Sequence, residues 1–151
     1  MTETKQKTIY DYIKLEIVTK DGNIVFSDNI SAANFPGEAG MFTVLPGHTP
    51  FLSSLKLGEL KIKKEEKDEK YIFFTVLGGF CEVMPDAINV ITHAAEPADK
   101  IDVGRAESAK KRAEDRLRSR DESIDIIRAE AALQRALVRL STVTNYKNQE
   151  K

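Results

Sequence analysis

An internal repeat is the feature that most constrains how this chain can fold. Residues 101–117 read IDVGRAESAKKRAEDRL, and residues 124–140 read IDIIRAEAALQRALVRL, so the phrase returns 23 residues later with ten of its 17 positions identical. Neither copy contains proline, and both are rich in Ala, Arg, Glu and Leu, which favour helix. The repeat therefore predicts two helices of similar length.

Each predicted helix carries a narrow apolar stripe. At about 100° per residue, three alanines and a leucine fall on one face of each copy. These residues are Ala106, Ala109, Ala113 and Leu117 in the first copy, and Ala129, Ala132, Ala136 and Leu140 in the second. The linker of residues 118–123 is short and polar, and Ser123 or Asp125 can cap the second helix. We therefore expect an antiparallel helical hairpin with closely packed helices.

Arginines accompany both apolar stripes and are predicted to lie along one groove: Arg105, Arg112, Arg116, Arg128, Arg135 and Arg139. Like charges four residues apart disfavour each other on a helix, so an anion in the groove would offset the repulsion. Two interpretations remain open from this pattern. Either the arginine stems cover the alanines and pair with Asp102 and Asp125, or the groove is an anion-binding site.

Composition predicts a soluble globular protein, because 41% of the 151 residues are hydrophobic and 31% are charged. The net charge of -1 conceals a division, since acidic residues predominate in residues 1–98 and basic residues in 99–151. A moderately basic hairpin on an acidic body indicates an acidic protein or nucleotide partner and argues against nucleic acid. The single Cys81 fits a reducing compartment.

No segment of the sequence predicts direct insertion into a membrane. The head MTETKQK lacks the apolar core of a secretory signal. The apolar run of residues 71–80 is about half the length that a bilayer-spanning helix requires. We therefore expect any membrane contact to be made through another subunit.

Residues 13–93 consist of short runs with alternating apolar residues, separated by turn signals such as Asp21-Gly22. Nine or ten such runs predict an antiparallel β-sandwich or barrel of about ten strands. The fold class is therefore α+β, with a sandwich domain at residues 1–96 and a helical hairpin domain at 97–151. The polar end of the hairpin beyond Thr142 is expected to be frayed.

The sequence contains no motif typical of an enzyme. GxxxxGK[ST], CxxC, HExxH and GxSxG are all missing. His48 and His93 together with one cysteine make a poor metal-binding set, and neither Glu38 nor His48 has a partner at catalytic spacing. We predict a protein without catalytic activity, metal or required cofactor.

Three stretches resemble the epsilon subunit of bacterial F-type ATP synthase: GEAGMFTVLPGHTPFL, LGGFCEV and IDVGRAESAKKRAEDRL. They occur in the family's order and spacing, and the likeness extends from about residue 14 to residue 142. The resemblance implies a sandwich that binds the gamma subunit and the c-subunit ring in the rotor stalk. It also implies a hairpin that regulates ATP hydrolysis by the alpha/beta catalytic head. The location implied is the cytoplasmic side of the bacterial plasma membrane, with proton translocation by the complex.

The resemblance also implies roles for individual residues. Glu38 matches a position that faces the c ring, and His48 matches one near gamma. Family members that bind ATP carry Ile or Leu, then Asp, two variable residues, Arg and Ala. The implied ATP site comprises Glu96, Ile101, Asp102, Arg105, Ala106, Arg112, Arg135 and Arg139. Gly104 departs from a good helix former and is expected to loosen the first helix.

A different class of function also accounts for the pattern. A plain adaptor could hold one partner with its sandwich and another with its hairpin. An enzyme that uses His48 is a third hypothesis. Purification separates the first two, because a rotor subunit co-purifies with gamma and membrane-bound ATPase activity whereas an adaptor does not.

Overall fold

A computed structural model describes residues 11–151. Eight strands precede two helices in the described chain: β1 (Ile13–Thr19), β2 (Ile24–Ile30), β3 (Ala32–Gly37), β4 (Gly40–Val44), β5 (Phe51–Lys63), β6 (Ile72–Val83), β7 (Ala87–Thr92), β8 (Ala95–Pro97), α1 (Val103–Arg118) and α2 (Ile126–Asn148). A single 3-10 turn, Ala98–Lys100, connects β8 to α1. The predicted α+β order of a sandwich followed by a helical hairpin is confirmed.

The strands are hydrogen-bonded in the order β2-β1-β7-β6-β5-β3-β4, and β8 adds to β6. All pairs are antiparallel except β1 with β7, which is parallel. The predicted sandwich is therefore confirmed with two corrections: the described chain has eight strands where about ten were expected, and one of its strand pairs is parallel. Two alternating runs of the sequence, FLSSL (residues 51–55) and ELKIK (59–63), belong to one long strand, β5. Two others, YIFFTV (71–76) and FCEVM (80–84), fall almost entirely within another, β6. The parallel pair joins segments distant in sequence, where no local turn signal exists.

β6 is continuous because two glycines let it bend. Gly78 and Gly79 have φ angles of 72° and 120°, which other residues rarely adopt. Before the bend, residues 74–76 pair with β8, and after it residues 80–83 pair with β7. One strand therefore has two different partners along the same edge, while β5 lies along the other.

The sandwich encloses its own hydrophobic core. One buried cluster takes side chains from all of β1 to β7. Alternate residues point inward, so Ile13 and Leu15 of β1 are buried while Lys14 between them is exposed. Cys81 also lies in this core, where burial raises the pKa of its thiol to about 12.

We expect a shortened chain of residues 1–98 to fold without the hairpin, because the core contains no helical residue. Its circular dichroism should show strand structure and one cooperative thermal transition, at a lower temperature than the full chain. The reduction follows from uncovering the sandwich surface against which α2 packs. A shortened chain without a cooperative transition would contradict a self-sufficient sandwich.

The hairpin is built on the predicted alanine seam. Ala106, Ala113, Ala129 and Ala136 are each at most 4% exposed, and the short loop of residues 119–125 turns the chain from α1 into α2. Four small side chains at the contact let the helix backbones approach closely.

The repeated Ile-Asp-x-x-Arg-Ala phrase starts both helices. Asp102 Oδ1 accepts a hydrogen bond from the backbone N–H of Arg105 at 3.0 Å. Asp125 Oδ1 does the same for Arg128, also at 3.0 Å, so Asp125 rather than Ser123 is the cap. Gly104 is only the second residue of α1. Gly104 therefore lies in the first turn and not in the helix interior, where the sequence had placed it.

α2 also packs against the sandwich. The Thr75 hydroxyl donates to the Thr142 hydroxyl at 3.0 Å, and both residues are fully buried. The prediction that the chain is frayed beyond Thr142 was wrong. α2 continues to Asn148, and Val143 is buried. Neither helix of the described chain is long and apolar enough to span a bilayer.

Candidate anion-binding site between the hairpin and the sandwich

A cavity of about 490 Å³ lies where α1 and α2 meet β8 and the following 3-10 turn. Its charged lining has more cations than carboxylates. The lining residues are Ala95, Glu96, Pro97, Lys100, Ile101, Asp102, Arg105, Ala106, Ala109, Arg112 and Arg139. All the residues of the implied ATP site are among them except Arg135. The structure thus assembles from β8, α1 and α2 a set that is dispersed in the sequence.

Arg139 and Glu96 form a bidentate ion pair across this cavity. Arg139 Nε donates to Glu96 Oε2 at 2.8 Å, and Nη2 donates to Oε1 at 2.6 Å. The two side chains are 24% and 35% exposed. The hydrogen bonds to Glu96 raise the pKa of Arg139 above its usual value, so the guanidinium stays charged. The pair ties α2 to β8 and uses two of the five N–H donors of the guanidinium.

Three further cations face the cavity without such a partner. Within residues 11–151, the side chains of Lys100, Arg105 and Arg112 make no ion pair. On the carboxylate side, Asp102 already uses Oδ1 to cap α1, and Glu96 is committed to Arg139. The cavity therefore carries an excess of positive charge, which suits a multiply charged anion.

Lys100 is a lining residue that the sequence did not identify. It directly precedes the first repeat, whereas Ser123 stands in the same place before the second. A basic residue in a polar turn gives no signal of its own. Only the position of the 3-10 turn, against β8 and α1, brings it to the cavity.

The six arginines expected along one groove are divided by the fold. Arg105, Arg112 and Arg139 line the cavity. The arginines at the equivalent positions of the other copy do not: Arg128, Arg135 and Arg116. Arg128 instead pairs with its own helix cap, Asp125, at 3.6 Å. The reason is that the sandwich contacts only one side of the hairpin, so equivalent positions in the two copies meet different surroundings.

Glu38 and His48 lie on the sandwich, away from the cavity. Glu38 occupies the tight turn between β3 and β4, where its backbone N–H donates to Ser54 O at 3.0 Å and its side chain is exposed. His48 Nδ1 donates to Thr49 O at 2.7 Å. In the part of the chain that the structure describes, no group of His, Cys, Asp or Glu is arranged to hold a metal ion.

Two family models match the chain in succession. The beta-sandwich domain of the ATP synthase Delta/Epsilon chain matches residues 12–98, and the long alpha-helix domain of the same chain matches residues 99–144. The chain belongs to the ATP synthase delta/epsilon family. The resemblance seen in the three sequence stretches is thereby confirmed, and the alternative of an unrelated adaptor is set aside.

Curated members of the delta/epsilon family are similar over most of their length. The ATP synthase epsilon chain of Bacillus velezensis is 45% identical over 133 residues, covering 88% of this chain and 98% of that one. The epsilon chain of Nitratidesulfovibrio vulgaris strain DP4 is 46% identical over 128 residues, covering 85% and 92%. The chain is thus a subunit of an ATP synthase, of the epsilon type.

Solved structures share the fold of this delta/epsilon family member. A chain in the cryo-EM structure of the Euglena gracilis mitochondrial ATP synthase, OSCP/F1/c-ring, superposes with a TM-score of 0.73 at 24% identity. The match covers 89% of this chain and 82% of that chain. A chain of the Tetrahymena thermophila mitochondrial central stalk and c ring gives a TM-score of 0.51 at 17% identity, covering 95% and 100%.

Proposed function

We propose that this chain is a non-catalytic subunit of the central rotor stalk of a proton-translocating ATP synthase. In this role the sandwich binds the gamma subunit and the c ring, and the hairpin regulates ATP hydrolysis by the alpha/beta head. The location is the cytoplasmic side of a bacterial plasma membrane, which the chain meets only through the c ring. Family membership and the bacterial epsilon chains that match nearly end to end support this proposal.

Glu38 and His48 act in this proposal through contact. Glu38 is held outward at a tight turn whose backbone is anchored to β5, so its carboxylate is available to polar loops of the c ring. The His48 ring lies near Phe51, with 6.2 Å between ring centroids, and suits a contact with gamma. Substitution of either residue by alanine should weaken subunit association without changing the isolated fold.

The excess of cations in the hairpin cavity supports ATP as the regulatory ligand. Arg112 and Arg139 would hold phosphate oxygens through charge-assisted hydrogen bonds, and Lys100 and Arg105 would add to the positive field. The base and ribose would lie toward Glu96, Asp102 and the backbone of Ile101 and Ala106. Arg135 stands outside the cavity in this arrangement, so we leave it out of the set.

Such a ligand would bridge the parts of the closed hairpin. The cavity is lined by β8, α1 and α2, and it ceases to exist when the helices leave the sandwich. ATP therefore binds the closed arrangement more tightly and stabilises it, which is the condition for a ligand to shift an equilibrium. When ATP is scarce, the released basic helices would contact acidic segments of the catalytic head and oppose hydrolysis.

Glu96→Ala tests this site, because Glu96 has two opposing roles in it. In the free protein the carboxylate competes with phosphate for Arg139, whereas in the complex it would contact the base. We therefore expect the affinity for inorganic tripolyphosphate to rise by about tenfold, from the loss of one nearby negative charge. The affinity for ATP should not rise, so the preference for ATP over tripolyphosphate should fall. Isothermal titration calorimetry of the full chain measures both affinities.

The matched control is Glu107→Ala, which removes a carboxylate from the exposed side of α1. This change should leave both affinities within about twofold, as expected for a distant, screened charge. An equal loss of affinity for the two ligands on Glu96→Ala would make Glu96 a purely structural residue. No binding of either ligand by the parent chain at millimolar concentration would refute the anion site itself.

A further inference from the structure

The end of α2 binds to the sandwich in a segment that the family model does not include. The match to the long alpha-helix domain stops at residue 144. α2 continues to Asn148, and residues 145–150 contact β5 and the loop that leads into β6. We call the three residues that make these contacts, Asn145, Gln149 and Glu150, the C-terminal latch.

The central contact of the C-terminal latch is a two-way amide pair. Gln149 Nε2 donates to Tyr71 O at 2.7 Å, and Tyr71 N donates to Gln149 Oε1 at 2.8 Å. Tyr71 directly precedes β6, and the Gln149 side chain satisfies both of its backbone groups as a neighbouring strand would. The pairing is specific to a primary amide, because a carboxylate or an ammonium group offers only one of the two bonds.

Two further contacts flank this pair. Asn145 Nδ2 donates to Glu59 Oε2 at 2.9 Å, and Lys70 Nζ forms an ion pair with Glu150 Oε2 at 2.8 Å. The spacing from Thr142 through Asn145 to Gln149 keeps these side chains on one face of α2. A row of contacts thus begins at Arg139 with Glu96 and ends at Glu150 with Lys70.

We propose that the C-terminal latch holds α2 on the sandwich without any nucleotide, and that opening of the hairpin in this chain requires its release. The individual contacts are exposed and each is weak. They act together because the last turn of α2 and the cap residues that follow it present them in one row, and because α2 also carries the buried Thr142 and Val143. The latch is thus a second element, separate from the cavity, that favours the closed hairpin.

Hydrogen exchange of the full chain in nucleotide-free buffer tests the latch. The double substitution Asn145→Ala and Gln149→Ala removes the side-chain hydrogen bonds that these two latch residues make to the sandwich. We expect the amides of residues 140–148, together with that of Tyr71, to exchange on the order of tenfold faster. The matched control is Gln134→Ala with Asn148→Ala, the same residue types on exposed positions of α2. The control should change these rates less than about twofold.

A charge exchange provides the second arm of the test. Lys70→Glu places two carboxylates together and should speed exchange at the end of α2 by about two- to threefold, as expected for one exposed pair. Adding Glu150→Lys should restore the parent rate. Equal effects of the latch and control pairs would indicate simple fraying and overturn the proposal, as would failure of the exchanged pair to restore protection. Both readouts are made without nucleotide, so they are independent of ATP binding.

Discussion

Gly79→Ala is expected to cost the sandwich at least about 3 kcal/mol in the free energy of unfolding. Gly79 has a φ angle of 120° at the bend of β6, and an added Cβ would collide with the carbonyl oxygen of Ile91. It would also lie 2.8 Å from Thr92 Cα. These neighbours are backbone atoms of β7, so relief requires the two strands to move apart. Chemical denaturation followed by circular dichroism measures the loss.

Gly40→Ala separates the two causes of this loss. Gly40 has a comparable φ angle of 131°, but nothing lies within 4 Å of the position that a Cβ would take. Its substitution should therefore show only the backbone strain, about 1–2 kcal/mol. If both variants lose the same stability, the close approach of β6 and β7 is not what requires glycine at position 79.

Arg139→Ala is expected to lower the affinity for ATP by about 100-fold. Charge-assisted hydrogen bonds to phosphate would be lost, and Glu96 would remain as an unpaired carboxylate facing the anion. Calorimetric titration of the full chain with ATP measures the change, after circular dichroism has shown that the hairpin is retained. The expectation rests on the proposed ATP site.

Arg116→Ala is the control that the repeat itself provides. Arg116 holds the same place in the first copy as Arg139 does in the second, but it does not line the cavity. Its loss removes the same charge from the hairpin and should change the ATP affinity by less than about threefold, because the charge is exposed and screened. Similar losses in the two variants would mean that ATP senses only the overall charge of the hairpin.

Local rules predicted the helices well. The repeat, the alanine seam and the capping role of Asp125 follow from spacing and from side-chain chemistry within a few residues. The same rules fail for the long strands, because Gly78 and Gly79 indicate a break but permit a bend. They also fail for the parallel pairing of β1 with β7, which depends on how the complete sheet closes.

The candidate site could be predicted as a set of residues but not as an arrangement. Glu96 and Arg139 were both implied as ATP residues, yet their pairing with each other depends on how α2 docks on β8. The repeat makes Arg116 and Arg139 equivalent in sequence, and only the tertiary fold separates them. The latch was missed for a related reason. A polar sequence such as that after Thr142 suggests fraying when its hydrogen-bonding partners are unknown.

The buried contact between Thr75 and Thr142 bears on the proposed open form, in which the hairpin leaves the sandwich. The two hydroxyls bond to each other in the closed form and can each bond to water in the open one, so separation leaves no orphaned polar atom. The seam between the helices is likewise made mainly of methyl groups. In the proposed open form the alanine seam would therefore expose little large apolar surface that could recruit other unfolded chains. A seam of this composition would therefore limit aggregation of the proposed open form.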